Sequence, residues 1–164
     1  FTGLSGSGKS TAAAALARNL ARRDVPHVVL DGDVIRQGLC ADLGFSEADR
    51  MENLRRVAEV ARLFARSGLV CVVAFISPFR SARTRARRII GRDLYREIHF
   101  SASLAACEKR DAKGLYAKAR AGRIPEFTGI SSPYEPPRRP ALSLDTTRMT
   151  ISQCVARLER LLAG

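Results

Sequence analysis

Apolar and polar positions along this chain fall into two rhythms. Short runs in which nearly every position is apolar mark buried strands, and longer stretches with apolar positions three and four apart mark helices packed on one face. Residues 27–31 (His-Val-Val-Leu-Asp) and 69–76 are runs of the first kind. The second is the more apolar and is expected at the centre of a sheet. Residues 95–100 read as a further strand and 141–145 as an edge strand. Helical stretches lie between them. The first covers 9–23. The second covers 47–67, with Ser46 as its N-cap, Gly68 as its stop and Val57, Val60, Ala61 and Phe64 as its buried stripe. An arginine-rich helix ends near Ile90, two short helices cover 104–109 and 115–121, and an amphipathic helix over 151–163 closes the chain. Residues 122–140 hold Pro125, Pro133, Pro136, Pro137 and Pro140 and cannot form a regular element. A loop of that length usually serves function. Strands alternating with helices in this order predict an α/β fold. It is a P-loop NTPase-type parallel five-stranded sheet with helices on both faces and a lid loop, in a single domain over residues 1–164.

Composition narrows this picture. A chain of 164 residues, 46% of them hydrophobic, can bury one good core and is too short for two ordinary domains. The longest apolar run is far too short to cross a bilayer, and no signal peptide is visible. Cys40, Cys71, Cys107 and Cys154 form no C-x-x-C pair. They read as buried or incidental thiols of a reducing, cytoplasmic setting, with no metal site of their own. The formal charge of +12 raises nucleic acid as a partner. The arginines are scattered, however, and aromatic residues make up only 6% of the chain, so no stacking platform is evident and no nucleic acid is expected. The densest cluster, Arg80, Arg83, Arg85, Arg87 and Arg88, reads as a solvated helix face or an oligomer contact. Part of the charge suits a cleft for two polyanionic ligands.

Two constellations carry chemistry. Gly3-Leu4-Ser5-Gly6-Ser7-Gly8-Lys9-Ser10, followed by Thr11, fits G-x-x-x-x-G-K-[ST] with a helix directly behind the lysine. Such a loop turns backbone N–H groups around a phosphate at a helix N-terminus. Gly3, Ser5, Gly6, Ser7, Gly8, Lys9, Ser10 and Thr11 are therefore the candidate ATP cradle. Lys9 reaches the β- and γ-phosphates, and the Ser10 hydroxyl serves Mg²⁺. Only Phe1 and Thr2, the remnant of a first strand, precede Gly3, so the sequence reads as a piece of a longer protein. The second constellation, Asp31-Gly32-Asp33, lies at the carboxyl end of the 27–31 strand, the edge where open α/β sheets bind ligands. Two acids there can serve Mg²⁺ directly or through water and accept a proton from an attacking hydroxyl. Either can also simply cap the next helix. Arg36, three residues past Asp33, projects toward the same edge if this segment is helical, and an arginine there suits a phosphate or sulfate.

Further blocks carry a resemblance. They include Asp42-Leu43-Gly44-Phe45-Ser46 with Asp49-Arg50, Glu52-Asn53 and Arg55-Arg56, then Ala74-Phe75-Ile76-Ser77-Pro78 and Arg110-Asp111 with Lys113-Gly114-Leu115-Tyr116. After these come Lys118-Ala119-Arg120-Ala121-Gly122, Phe127-Thr128-Gly129-Ile130 and Pro133-Tyr134-Glu135. With the phosphate loop and Asp-Gly-Asp they run in order over almost the whole chain, and together they resemble adenosine 5′-phosphosulfate (adenylylsulfate) kinases. The resemblance implies transfer of the ATP γ-phosphoryl group to the 3′-hydroxyl of adenylylsulfate, giving ADP and 3′-phosphoadenylylsulfate in sulfate assimilation or activation. It makes Asp33 the proton acceptor or orienter of that hydroxyl, Lys9 the neutraliser of charge on the transferred group, and Asp31 a support for Mg²⁺ through water. Adenylylsulfate would meet Asp33, Arg36, Phe45, Arg50, Asn53, Ile76, Ser77, Lys113 and Phe127. Phe45 and Phe127 would sandwich the adenine, and for Phe127 the polar loop around it argues against ordinary core packing. Arg110 would stack on the ATP base, and residues 113–129 would close as a lid. Ser77 matches a serine phosphorylated in some members and is read here as a pocket residue. The resemblance further implies a homo-oligomer, commonly a dimer, and a possible fusion to an ATP sulfurylase-like domain.

The chain departs from the family pattern at Val34 and Cys40, where Asn is usual, at Ala112 for Pro, and at Ser131 for Asp. None of these removes a residue assigned to chemistry. Two competing readings stand beside the kinase: a kinase with another acceptor, and a non-catalytic nucleotide-binding or assembly module of a bifunctional sulfate-activating protein.

Overall fold

The computed structural model describes residues 1–111 and 113–163. The chain runs α1 (Lys9–Arg22), β1 (His27–Asp31), α2 (Gly32–Ile35), α3 (Glu47–Arg66), β2 (Val70–Ala74), α4 (Arg80–Ile90), β3 (Ile98–Phe100), α5 (Leu104–Arg110), α6 (Leu115–Arg120), β4 (Leu142–Leu144) and α7 (Ile151–Ala163). β1 pairs with β2 in parallel, with His27 opposite Val70 and Asp31 opposite Ala74. β3 pairs with β4 in parallel, with Ile98 opposite Leu142 and Phe100 opposite Leu144. Residues 1–3 bond to both pairs. The Gly3 N–H donates to the Ile76 carbonyl (3.3 Å) on one side, while Thr2 donates to Ile98 and accepts from Phe100 (both 2.8 Å) on the other. The expected five-stranded sheet is thus seen as two parallel pairs with this short segment between them.

Element types and order follow the hydrophobic pattern, and the differences lie at the ends. The strand expected over 69–76 stops at Ala74. Beyond it the backbone turns, and Ser77 adopts φ +45° ahead of Pro78. The strand expected over 95–100 starts only at Ile98, and that over 141–145 shortens to three residues. The one-turn helix α2 follows the alternative in which Asp31 caps a helix, where the segment otherwise reads as a loop. The Asp31 carboxylate nucleates it by accepting from the Asp33 N–H (3.0 Å). Ser46 caps α3 as the sequence indicates, accepting from the Asp49 N–H at 3.1 Å. The departure at Ala112 lies outside the described residues.

Helices cover the strands on both faces. On one, Ala12, Ala13, Leu16 and Leu20 of α1 and Cys154, Val155 and Leu158 of α7 pack on Val72, Ala74, Ile98, Phe100 and Leu144. On the other, Val57 and Ala61 of α3 meet Leu30 and Phe75, with Val60 and Phe64 partly buried beside them. Leu54 and Ala58 of the same helix pack on Phe79, Ala82 and Ala86. A further cluster joins Leu4, Ala102 and Cys107 to Tyr116, Ala119 and Phe127 of the lid region. Full burial of each large side chain contributes roughly 1.5–3 kcal/mol.

Arg83 corrects the reading of the α4 arginines as a solvated face. It is buried and satisfied on every side: Nε donates to Glu97 Oε1 (2.6 Å), Nη1 to the Ser77 carbonyl (2.6 Å) and Nη2 to the Glu135 carbonyl (2.7 Å). A buried guanidinium is tolerated only with such partners, and these tie the Ser77 turn to the proline-rich loop. The four cysteines are free thiols. Among the described residues no helix is long and apolar enough to cross a membrane.

Candidate active site

The phosphate loop runs from residues 1–3, beside β2 and β3, into α1. Gly8 caps that helix with φ +94°, a conformation that costs glycine little. Gly3 lies so close to β3 that an added Cβ would stand 2.5 Å from the Phe100 carbonyl oxygen. The loop's carbonyls are drawn outward. Ser5 accepts from the Tyr116 hydroxyl (2.9 Å), Gly6 from Arg110 Nη1 (3.2 Å) and Ser7 from the Thr146 hydroxyl (2.9 Å). In a trans peptide the following N–H points the opposite way, so the Gly6 and Gly8 amides face the cradle. Lys9 is buried, and its ammonium donates to the carbonyls of Gly3 (2.8 Å) and Leu4 (2.7 Å) and to Ser7 Oγ (3.2 Å). Loss of hydration lowers its pKa to about 8. Ser10 and Thr11 are exposed on the first turn of α1.

At the end of β1, Asp31 serves two neighbours at once. Its Oδ2 accepts from the Ser10 hydroxyl at 2.7 Å, while Oδ1 caps α2. The capping and site readings of this residue therefore coexist. Asp33 is exposed and forms an ion pair with Lys113 from the lid region. Ser10 and Asp31 offer oxygen ligands of the kind that suits Mg²⁺. No group of three or more His, Cys, Asp or Glu side chains is gathered among the described residues, so nucleotide phosphates and water would complete the shell, as is usual for that ion.

The residues expected to meet the acceptor are spread over α2, α3 and the segment 113–129. Arg36 Nη1 donates to the carbonyls of Leu43 (3.0 Å) and Gly44 (2.9 Å), and its guanidinium lies 4.2 Å over the Phe45 ring. Phe45 is 58% exposed. Arg50 ties the lid region down, donating from Nη1 to Thr128 Oγ1 (3.1 Å), from Nη2 to the Glu126 carbonyl (2.6 Å) and from Nε to the Phe45 carbonyl (2.7 Å). Asn53 is buried, and its Nδ2 has no hydrogen-bond partner, a donor held without a protein acceptor. Ile76 and Ser77 follow β2 at the same edge, with the Ser77 carbonyl fixed by Arg83. Phe127 departs from expectation. It is 8% exposed and packs edge-on against Tyr116, with centroids 5.0 Å apart and planes at 77°. Its immediate neighbours are polar, but Tyr116 and Ala119 of α6 together with Leu4, Ala102 and Cys107 supply the apolar cluster around it. Arg110 bonds to Gly6 and, through Nη1 and Nη2, to the hydroxyl and carbonyl of Thr146.

Sequence reasoning overlooked three residues that shape the site. Thr146 follows β4 at the ligand-binding edge, and that position was the available signal. Tyr116 lies in a motif whose sequence gives the ring no role, since its partner Ser5 is 111 residues away. Arg83 was absorbed into a charge cluster, and nothing local marked it as buried.

A phosphate loop feeding a helix, with two carboxylates at the end of β1 and an arginine-lined aromatic face at the same edge, is the arrangement of a P-loop phosphotransferase. Comparison makes the class particular. The family model of adenylylsulphate kinase matches residues 1–145. The adenylyl-sulfate kinase of Prochlorococcus marinus is 57% identical over 155 residues, covering 94% of this chain and 77% of that protein. The structure of the Mycobacterium tuberculosis APS kinase in complex with AMPPNP and APS superposes with a TM-score of 0.96 at 47% identity, covering 100% of this chain and 95% of that one. A hexameric APS kinase from Thiobacillus denitrificans gives 0.73 at 32% identity, covering 99% of this chain and 28% of that one. The chain belongs to the adenylylsulphate kinase family and so to the ATP-dependent phosphotransferases.

Proposed function

We propose that this chain transfers the γ-phosphoryl group of ATP to the ribose 3′-hydroxyl of adenosine 5′-phosphosulfate, with the residues above in stated roles. The observation that carries the assignment is the placement of Asp33, two residues beyond the Asp31 carboxylate that bonds Ser10 of the phosphate loop. An acceptor hydroxyl held at Asp33 would face a γ-phosphate held at Lys9 and Ser10. As its oxygen bonds to phosphorus, the bond to the ADP oxygen breaks, and the hydroxyl proton passes to the Asp33 carboxylate. Lys9 exchanges the carbonyls of Gly3 and Leu4 for phosphate oxygens. Mg²⁺, held by Ser10 and by Asp31 through water, would neutralise phosphate charge. Lys113 must leave Asp33 or share it with the incoming hydroxyl. Arg36, Arg50, Asn53, Ile76, Ser77, Phe45 and Phe127 line or support the acceptor pocket, and the Asn53 amide awaits an acceptor group from the ligand.

The same reading takes residues 1–3 as the fifth, central strand, supported by their bonds to both strand pairs. It takes residues 1–164 as one kinase domain. The four free thiols support a cytoplasmic setting. The hexameric Thiobacillus relative supports self-association of copies without preferring a dimer. The binding-module alternative draws no support from the similar proteins, which bear the kinase name.

The test is ADP release from Mg-ATP with and without adenylylsulfate, with the product's mass identified. Release that depends on the acceptor, with a 3′-phosphorylated product, is expected. Nucleotide binding without acceptor-dependent release would overturn the assignment.

A further inference from the structure

One side chain reaches from the phosphate loop to the wall of the acceptor pocket. Tyr116 is 1% exposed. Its hydroxyl donates to the Ser5 carbonyl at 2.9 Å, and its ring meets Phe127 edge-on at 5.0 Å. Burial pushes its pKa up, so the hydroxyl keeps its proton and remains a donor. The backbone holding it is equally fixed. The Asp111 carboxylate accepts from the N–H groups of Tyr116 and Ala117, both at 3.0 Å. Lys113, which pairs with Asp33, lies three residues before Tyr116. Phe127 stands between Glu126 and Thr128, the two residues that Arg50 grips. Displacing the Ser5 peptide would therefore move the Tyr116 ring, and with it the flank of Phe127.

We propose that Tyr116 is a positioning residue that couples the two substrates. Nucleotide in the phosphate loop fixes the Ser5 peptide and hence the Tyr116 hydroxyl. The fixed ring holds Phe127, and through the Phe127 backbone the Arg50-bound wall, in the arrangement that receives adenylylsulfate. The acceptor then binds a pocket whose ordering cost has already been met, so its affinity rises when nucleotide is present. By thermodynamic linkage nucleotide affinity rises by the same factor when the acceptor is bound. This rests on the acceptor assigned above, and the test separates the two.

The experiment measures the dissociation constant of AMPPNP with Mg²⁺, and of adenylylsulfate, each alone and with the other saturating. It compares the parent protein with Tyr116→Phe, Phe127→Leu and the double variant. The parent should show mutual tightening of about tenfold, within the range usual for coupled sites. Tyr116→Phe keeps the ring and loses only the hydroxyl bond to Ser5. It should bind each ligand alone nearly as the parent does, while the tightening shrinks toward unity. Phe127→Leu should reduce the tightening from the other end, and the double variant should reduce it no further than the more affected single variant, because both act on one path. A residue serving only stability would lower melting temperature and leave the ratio unchanged. If Tyr116→Phe fails to fold, Phe127→Leu carries the same comparison. Full tightening in either folded variant, or none in the parent, overturns the coupling role. Failure of the parent to bind adenylylsulfate at all would strike the assigned acceptor.

Discussion

The donor cradle and the acceptor pocket sit at the same edge of the fold and are built by different physics. The cradle is one contiguous segment. Its lysine is buried, and its shape is set by backbone conformation and by donors that draw three carbonyls outward. The acceptor pocket is gathered from α2, the start of α3, the Ser77 turn and the lid region. It is held by long side chains: Arg36 on the carbonyls of residues 43 and 44, Arg50 on Glu126 and Thr128, and Lys113 on Asp33. Exposed ion pairs and arginine contacts of this kind contribute little stability each. The donor site is thus built of one backbone segment with Lys9 still turned to the Gly3 and Leu4 carbonyls, whereas the proposed acceptor site is held by side-chain contacts that a ligand can replace. That division suits a reaction in which water must be kept from the γ-phosphate until the acceptor has arrived.

The largest test of this contrast is Asp33→Asn. Asp33 belongs to neither the buried loop nor the hydrophobic clusters, so the variant should fold as the parent does and bind AMPPNP with unchanged affinity. Its kcat should fall about 10²–10⁴-fold, the usual contribution of a positioned general base. Steady-state turnover beside a nucleotide titration checks both halves. Normal turnover would remove Asp33 from the chemistry and leave the acid pair as a structural cap.

Phe127→Ala comes next and acts on stability. The side chain is 8% exposed, and such truncations in a core cost about 3–5 kcal/mol. Chemical denaturation should show that loss. A change below 1 kcal/mol would mean that the lid cluster is not a true core and that the acceptor wall is looser than its burial indicates.

The third test uses pH on the donor side. Burial holds the Lys9 pKa at about 8 in the ligand-free protein, below its ordinary 10.5. Bound phosphate oxygens restore a partner for the charge and raise that pKa again. Below pH 8 the lysine is charged in both states, and affinity should be flat. Above pH 8 binding must take up a proton, so nucleotide affinity should fall by up to about tenfold per pH unit. The ligand-free fold behaves in the opposite sense. Between pH 8 and 10.5 the unfolded chain still holds the proton that the native state has lost, and the contribution of Lys9 to stability rises. Calorimetric titration in buffers of different ionisation enthalpy reads the proton uptake directly. Lys9→Met should abolish it.

The same division decides what could be read from the sequence. The phosphate loop was readable residue by residue because its function is local: glycines, lysine and serine at fixed spacing ahead of a helix. Element types and order followed from hydrophobic period, since the buried strands and the stripe on α3 are local patterns too. Strand ends were not readable, because β2 stops where its backbone partners pass to residues 1 and 3, a choice made by tertiary pairing. Asp33 and Arg36 were readable from the acid pair at a strand end, but the rest of the acceptor residues were reached only through resemblance, for they lie between 45 and 127 and share no spacing rule. Tyr116 and Arg83 went unnoticed for the same reason. Their partners Ser5 and Glu135 are far away in the chain, and a tyrosine in a short helix or an arginine among arginines carries no local mark.

The smallest effect is the most discriminating. Resemblance pairs Phe45 with Phe127 as two plates around the adenine, but their surroundings are opposite. Phe45 is 58% exposed, with the Arg36 and Arg50 guanidiniums 4.2 and 5.6 Å from its ring centroid. Phe127 is spent on Tyr116 and the cluster behind it. Phe45→Ala should therefore leave stability within about 0.5 kcal/mol of the parent, as for other exposed sites. It should weaken adenylylsulfate by about 2–10-fold, corresponding to the 0.5–1.5 kcal/mol of a stacked aromatic pair. Arg36 now covers the ring, so adenine must displace a cation–π contact to stack there, which holds the net effect at the low end. The signature is a raised acceptor KM with kcat and nucleotide affinity unchanged, the inverse of Asp33→Asn. If Phe45→Ala leaves the acceptor KM where it was, the exposed ring is no plate for adenine. The base would then have to be sought on the Asn53 side of the pocket, where a buried amide without a partner is the remaining group that calls for a ligand.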